Sequence, residues 1–494
     1  MPSRLPALHV TTDGVGDLDV DALVVPVFRG AIEAPGAEQA LQALGLDEVP
    51  RDARFRGRLG EVLDLAAPGQ PWGRVTLVGL GRMDELSGEQ LRRAAGSAAR
   101  HLAPTCRAIA TTLVLVQPAV ETVRAVAEGV LLGAYRFDDC RPGRDPLEVA
   151  DVTLVVPSSL VDAADRQLQL ARTHAAAQNI ARDLVSTPPN LLGPDDIAQR
   201  ADGLVSAGVE VEVWDEARLI EERCGGILAV GRGSARPPRL VKLHYRPDSP
   251  VAKVALVGKG ITFDTGGISL KRPSEIMESM KGDMGGAGAV LAVFSALADL
   301  DVKVEVVGYL CLAENMIGAD AQRPSDVITI RNGTTVEVMN TDAEGRLVMA
   351  DGLSLAVEDD DVEAVVDVAT LTGAAARALG KRASAVFAND DDLLRQVLTA
   401  SEAAGEAMWH LPLWEELRDN LESEVADIDN IGRGDEAGAT IAGLFLREFV
   451  DGRPWVHLDI AGPFWQDEDR YHNPRHGTGV AVRTLLRWLE MTGR

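Results

Sequence analysis

The sequence predicts an α/β protein of two domains. The smaller is an amino-terminal α/β domain. In the larger, carboxy-terminal domain a mixed β-sheet is covered by helices on both faces. Three observations predict this. Short apolar runs alternate with helical stretches along the chain, the pattern of a parallel or mixed sheet buried on both sides. At about 100–200 residues per domain, a chain of 494 residues has room for more than one core. A long helical stretch also ends in Ser186-Thr187-Pro188-Pro189-Asn190, where two prolines stop any helix. The boundaries read from this are 1–158, a connecting helix at 159–187, and 188–494.

In the first part, Asp21–Val27, Val75–Leu80, Thr111–Val116 and Asp151–Val156 read as strands, being apolar, β-branched and bounded by turn residues. Leu86–Leu102 and Ser159–Val185 read as helices. Gly79-Leu80-Gly81 follows a strand but is not a full G-x-G-x-x-G, so a tight turn is the plainer reading than a nucleotide loop. Further on, Val251–Val257, Val302–Cys311, Thr335–Met339, Val362–Val368 and Trp455–Ile460 read as strands. Ala287–Leu300, Leu347–Val357 and Ala439–Val450 read as the helices between them.

Composition excludes several classes. Acidic residues outnumber basic ones 75 to 49, a formal net charge of −26, which argues against nucleic acid or an anionic membrane as the main partner. No apolar run approaches the length of about 18 residues that a membrane helix needs. The opening MPSRLPALHVTTDG lacks a signal-like apolar core. Cys106, Cys140, Cys224 and Cys311 form no C-x-x-C pair, so neither a disulfide framework nor a thiolate zinc site is expected. The expectation is a cytoplasmic protein.

Two segments concentrate chemistry: GKGITFDTGGISLKRPSEIMESMKGD at 258–283 and NTDAEGRL at 340–347. Each begins where an expected strand stops, the place where ligands bind in open α/β sheets. Asp264, Asp283, Asp342 and Glu344 are four acids in glycine-rich surroundings. Brought together they would repel one another, and one or two divalent cations would relieve that. Oxygen donors suit manganese, magnesium or zinc. Lys259, Lys271 and Arg346 are interleaved with the acids. A neutral lysine amine can ligate metal, a second cation can stabilise an oxyanion, and an arginine fork can hold a carboxylate or bicarbonate. Taken singly, each residue reads more readily as a turn acid or a solvated lysine; together, they read as a two-metal site.

These segments resemble those of the leucyl aminopeptidase (cytosol aminopeptidase) family. NTDAEGRL matches its signature and GKGITFDTGGISLK its companion. DMGGAGAV at 283–290, AEN at 313–315, ATLTGA at 369–374 and WVHLDIAGP at 455–463 follow in order. The resemblance covers about residues 175–490 and is weak before that, where a strand followed by Val78-Gly79-Leu80-Gly81 is similar to a variable amino-terminal domain. It implies a metallo-exopeptidase that releases amino-terminal residues, leucine and other apolar ones preferred, by attack of a metal-bridging hydroxide on the scissile carbonyl. The implied cofactors are two divalent ions per subunit, manganese or zinc, with bicarbonate at Arg346. Asp264 would be shared by both metals and Glu344 would also bridge them. Lys259 and Asp283 would complete the looser site, and Asp342, through side chain and backbone carbonyl, the tighter one. Lys271 and Arg346 would be the catalytic residues that bind no metal. Peptides with a free amino terminus are the implied substrates, and a homohexamer the implied assembly.

Two departures stand out. The stretch KRPSEIMESMKGD between Lys271 and Asp283 is one residue longer than the family pattern, with the extra residue expected near Arg272-Pro273. Ile317-Gly318-Ala319-Asp320 replaces a more usual Pro-Ser-Gly, which is expected to alter a loop near the site. The eight histidines form no H-E-x-x-H, and His457 reads as a core or wall residue. Ser269 is not in a G-x-S-x-G elbow. Met280 is readable as pocket lining or packing, and Trp409 and Trp465 as structural. The competing readings are a two-metal phosphoesterase, for which no phosphate loop G-x-x-x-x-G-K-[ST] is present, and a binding protein that retains a silent site.

Overall fold

A computed structural model describes residues 5–30, 32–50, 55–140, 149–359, 361–434 and 436–493; residues 1–4 of the opening stretch lie outside these. The chain is α/β, as expected, and forms two compact units. One runs to Asn179 and includes Asp467–Arg475; the other comprises Ile180–Gln466 and the chain from His476.

The first unit is built on a sheet in the order Ala7–Thr11, Asp151–Val155, Ala108–Thr111, Val20–Phe28, Trp72–Gly79, Val62–Ala66. These strands are parallel except the last, which runs antiparallel at the edge; Ile32–Glu33 pairs separately with Val20–Phe28. The side-chain period of two sends Ala22 and Val24 to a core with the helices Gly88–Leu102 and Val120–Gly133. Leu23, Val25 and Val27 face a second core with Ala40 and Leu41 of the helix Glu38–Ala43. Burial on both faces is why these strands read as unbroken apolar runs.

The expected strand Thr111–Val116 is corrected. Pairing stops at Thr111, and Leu113–Val116 forms a 3-10 turn. The Thr111 hydroxyl accepts the Leu113 N–H at 3.2 Å, so a side-chain turn takes a donor away from the ladder. Leu113 and Val114 are buried by packing, not by pairing.

The second unit carries an eight-stranded sheet: Met408–His410, Ser384–Ala388, Trp455–Asp459, Ala364–Ala369, Lys253–Asp264, Glu305–Asn315, Arg239–Tyr245, Glu210–Trp214. Its four central strands, Trp455–Asp459 to Glu305–Asn315, are mutually parallel, and antiparallel pairs lie to both sides. The helices Gly285–Phe294 and Gly345–Val357 cover opposite faces. A Cβ at Gly258 would stand 2.6 Å from Ala287 on the first helix, while a Cβ at Gly352 of the second would meet the Val257 side chain at 2.8 Å.

The central strand Lys253–Asp264 outruns the expected Val251–Val257 at its carboxyl end. Lys259 pairs with Cys311 and Gly260 with Leu312, so Lys259 and Asp264 sit on the strand and not on a loop beyond it. Glycine is required at 258 because the Gly285–Phe294 helix approaches the backbone too closely for a side chain. That Gly-Lys-Gly interruption hides the strand from an apolar count. The expected strand at 335–339 is present as Thr335–Val338; it leads into the 340–347 segment and belongs to a small sheet with Asp326–Thr329 and Ile428–Asp429, separate from the main one. Among the described residues no helix is long and apolar enough to cross a membrane.

Candidate metal centre

Three pieces of chain converge. The main strand brings Lys259 and Asp264. A 3-10 stretch, Ser274–Gly282, delivers Asp283 just ahead of the Gly285–Phe294 helix. The loop after Thr335–Val338 delivers Asp342 and Glu344, with Glu344 at the start of the helix that carries Arg346. Asp264, Asp342 and Glu344 each offer an oxygen, and these oxygens lie within 4.8 Å of one another. Asp283 joins them through Lys259, whose Nζ is 2.9 Å from both Asp283 and Glu344 Oε1 and donates to the Thr370 carbonyl at 3.0 Å. Lys271 Nζ stands 2.6 Å from Asp264 Oδ2 and 2.6 Å from Asp342 Oδ1. All six of these expected residues are therefore gathered in one place.

Arg346 is adjacent and buried. Its Nη1 donates to the Asn430 carbonyl at 2.6 Å, and its guanidinium stands 6.0 Å from the Phe445 ring centre. Among the described residues its buried Nε–H has no acceptor. Burial lowers this guanidinium to about 10, against the pull of Glu344, Asp459 and Asp429.

The electrostatics are strained. Burial, with Asp264 and Glu344 nearby, pushes Asp283 up to about 8 despite Lys259. Burial and Asp264 push Asp342 up to about 7 despite Lys271. Burial alone would lower Lys259 and Lys271, but the surrounding carboxylates outweigh it and hold both ammonium groups well above the ordinary lysine range. Four carboxylates face two ammonium groups, and even the Arg346 guanidinium leaves the positive charges one short. Among the described residues the buried Glu344 Oε2 accepts no hydrogen bond, and Asp283 Oδ2 and Asp342 Oδ1 meet only the ammonium groups of Lys259 and Lys271, at 2.9 and 2.6 Å. Crowded acids with unused lone pairs fit hard divalent cations.

Residues given no role from the sequence hold these groups in place. Asp264 Oδ1 accepts from Gly266 N and Asn315 Nδ2, both at 2.8 Å. Thr370 Oγ1 donates to Asp283 Oδ1 at 2.7 Å. Thr341 and Ser269 exchange hydrogen bonds, Ser269 N to Thr341 Oγ1 at 2.8 Å and Thr341 N to Ser269 Oγ at 3.2 Å, which ties the two motif segments together. Ser269 is thus part of the scaffold, in keeping with its lack of an elbow. His457 is buried, bonded to Asp367 at 2.5 Å and stacked on Trp455 and Phe387, the wall residue expected. Met280 is half-buried in the 3-10 stretch. Ile317 is exposed, and Gly318 packs where a Cβ would meet the Gly233 carbonyl at 2.2 Å.

Comparison with known proteins decides the family. The profile for the cytosol aminopeptidase family, catalytic domain, matches residues 179–486, and that for its N-terminal domain matches residues 24–142. The chain belongs to the cytosol aminopeptidase family. A relative from Micrococcus luteus, called a probable cytosol aminopeptidase, is 47% identical over 98% of both chains. One from Streptomyces griseus is 44% identical over the same shares. Among solved structures, a tomato leucine aminopeptidase mutant superposes with a TM-score of 0.87 at 32% identity, over 99% of this chain and 97% of that one. A bottromycin maturation enzyme in complex with Mn gives 0.85 at 40% identity, over 96% and 100%. Membership makes the chain an aminopeptidase, a hydrolase with a metal-binding centre.

Proposed function

We propose that the protein releases amino-terminal residues from peptides, leucine and other apolar residues preferred, at a centre of two divalent ions, manganese or zinc. The observation that carries this is the convergence of Asp264, Asp342 and Glu344 beside Lys259, Asp283 and Lys271, with acid in excess. The Mn complex of the bottromycin maturation enzyme supports the choice of ion. In this reading Asp264 and Glu344 serve both ions. Lys259 and Asp283 complete one site, and Asp342 the other through side chain and backbone carbonyl. When bound, such a pair supplies Lewis acidity, an acidified water and an attachment point for a free α-amine.

The protein's own groups do the rest. Lys271 keeps its proton and places positive charge where the scissile carbonyl oxygen becomes negative. Arg346 offers an unused N–H to a planar anion such as bicarbonate, which would lie beside the nucleophile as proton acceptor. Peptides with a free amino terminus are the substrates, and the family resemblance supports a homohexamer. A cytosolic location rests on the name its relatives carry. The net charge of −26 argues against nucleic acid.

The direct test strips the protein with chelator and assays a chromogenic leucine amide while manganese, zinc or cobalt is returned. Cleavage should reappear with metal, and an amino-blocked control should stay intact. Two bound ions with no cleavage by any metal would overturn the reading.

Metal loading should also release protons. Near neutral pH Asp283 and Asp342 are partly protonated and Lys259 is charged, so protons compete with cations. As pH rises from 6 to 9 the two carboxyl protons leave and the Lys259 proton becomes easier for a cation to displace, so apparent Mn affinity should increase. At least about one proton should be released per chain at pH 7, read by calorimetry in buffers of different ionisation enthalpy. Affinity flat across that range would contradict ligation by Lys259.

A further inference from the structure

The geometry points to Asn430 as a positioning residue that sets Asp342 and Arg346 relative to one another. Nothing in the motif segments contains it. It follows the short strand Ile428–Asp429, is fully buried, and spends its whole side chain on the 339–343 backbone. Oδ1 accepts from Met339 N at 2.8 Å and Asn340 N at 3.2 Å. Nδ2 donates to the Asn340 carbonyl at 2.7 Å and the Ala343 carbonyl at 3.4 Å. An asparagine amide has two donors and two acceptor sites, and all four are used.

The main chain of the same residue acts on the other group. Its carbonyl accepts from Arg346 Nη1 at 2.6 Å. That carbonyl is itself fixed. Asn430 N donates to Glu337 O at 3.1 Å, and Asp429 Oδ1 accepts from Ile431 N at 2.9 Å and Gly432 N at 2.6 Å, closing the turn that follows. One residue therefore grips the loop that presents Asp342 with its side chain and orients the guanidinium with its backbone. That loop has a second, separate tie in the Thr341–Ser269 exchange. Releasing the Asn430 tie frees the loop to rotate about the other, which moves Asp342 and Arg346 without deleting either.

The inference rests on the proposed function for Asp342 as a metal ligand and for its kinetic readout. Asn430→Asp keeps the volume and both acceptor sites and loses both donors. It should remain folded, lower Mn affinity by about tenfold, and lower kcat by at least about tenfold with KM within about threefold. The decisive measurement is a double-mutant cycle with Arg346→Ala. If Asn430 acts through Arg346, Asn430→Asp should cost less than about twofold in kcat in that background. Equal losses in both backgrounds, together with unchanged Mn affinity, would overturn the inference. Should Asn430→Asp fail to fold, the smaller Asn430→Ser carries the same cycle. The Mn titration needs no hydrolysis, so it separates failure of this inference from failure of the proposed activity.

Discussion

Glu344→Gln should lower kcat by about 100- to 1000-fold while the protein stays folded. The change keeps the shape of the side chain and removes its charge. Glu344 Oε1 stands 2.9 Å from Lys259 Nζ, and Oε2 accepts no hydrogen bond, so the carboxylate is not needed to satisfy a buried donor elsewhere. Its removal also takes one acid out of a cluster in which acids outnumber cations. The metal-free variant should therefore melt no earlier than the metal-free parent. Wild-type turnover by the metal-loaded variant would refute the role given to Glu344. A large loss of melting temperature without metal would show that the side chain is structural.

Lys271→Ala should behave differently. Lys271 contacts Asp264 and Asp342 from outside the oxygen set, and those acids hold it charged. In the proposed reading Lys271 keeps its proton when the ions bind and so has no lone pair for a cation, whereas the Lys259 proton is displaced. Removing Lys271 should leave about two ions per chain by elemental analysis while kcat falls by about 100-fold or more, since a donor aimed at developing negative charge acts in the transition state. KM should change far less. Loss of both ions in this variant would count against a role apart from metal binding.

The charged residues of the site were legible because buried chemistry restricts residue type. Lys259, Lys271, Asp264, Asp283, Asp342, Glu344 and Arg346 stand in two short segments; the structure brings the first six together and sets Arg346 two residues past Glu344 on the adjoining helix. What holds them was not legible. Asn430 looks like an ordinary turn residue, and Thr370 stands in a matched motif with nothing to mark its role; the work of both depends on partners far along the chain. The same holds for the fold. Apolar runs revealed the centres of the parallel strands, but the extension through Gly258-Lys259-Gly260 needs the neighbouring helix to explain it. At Thr111 a hydroxyl ended a strand that hydrophobicity alone would have continued.

The way the site is spread along the chain has a consequence for its assembly. Lys259 and Asp283 are 24 residues apart, Asp264 and Asn315 51, Gly266 and Thr341 75, and Lys259 and Thr370 111. Closing the last of these loops instead of the first costs only about 1.4 kcal/mol more in chain entropy, so no single closure is prohibitive. The order is nonetheless imposed by synthesis. A nascent chain that has emerged only to Asn315 holds Lys259, Asp264 and Asp283 but neither Asp342 nor Glu344, and Arg346 gains its carbonyl partner only when Asn430 arrives. The full set of candidate ligands is therefore present only after synthesis has passed Glu344, and the arginine beside it is seated only once Asn430 has followed.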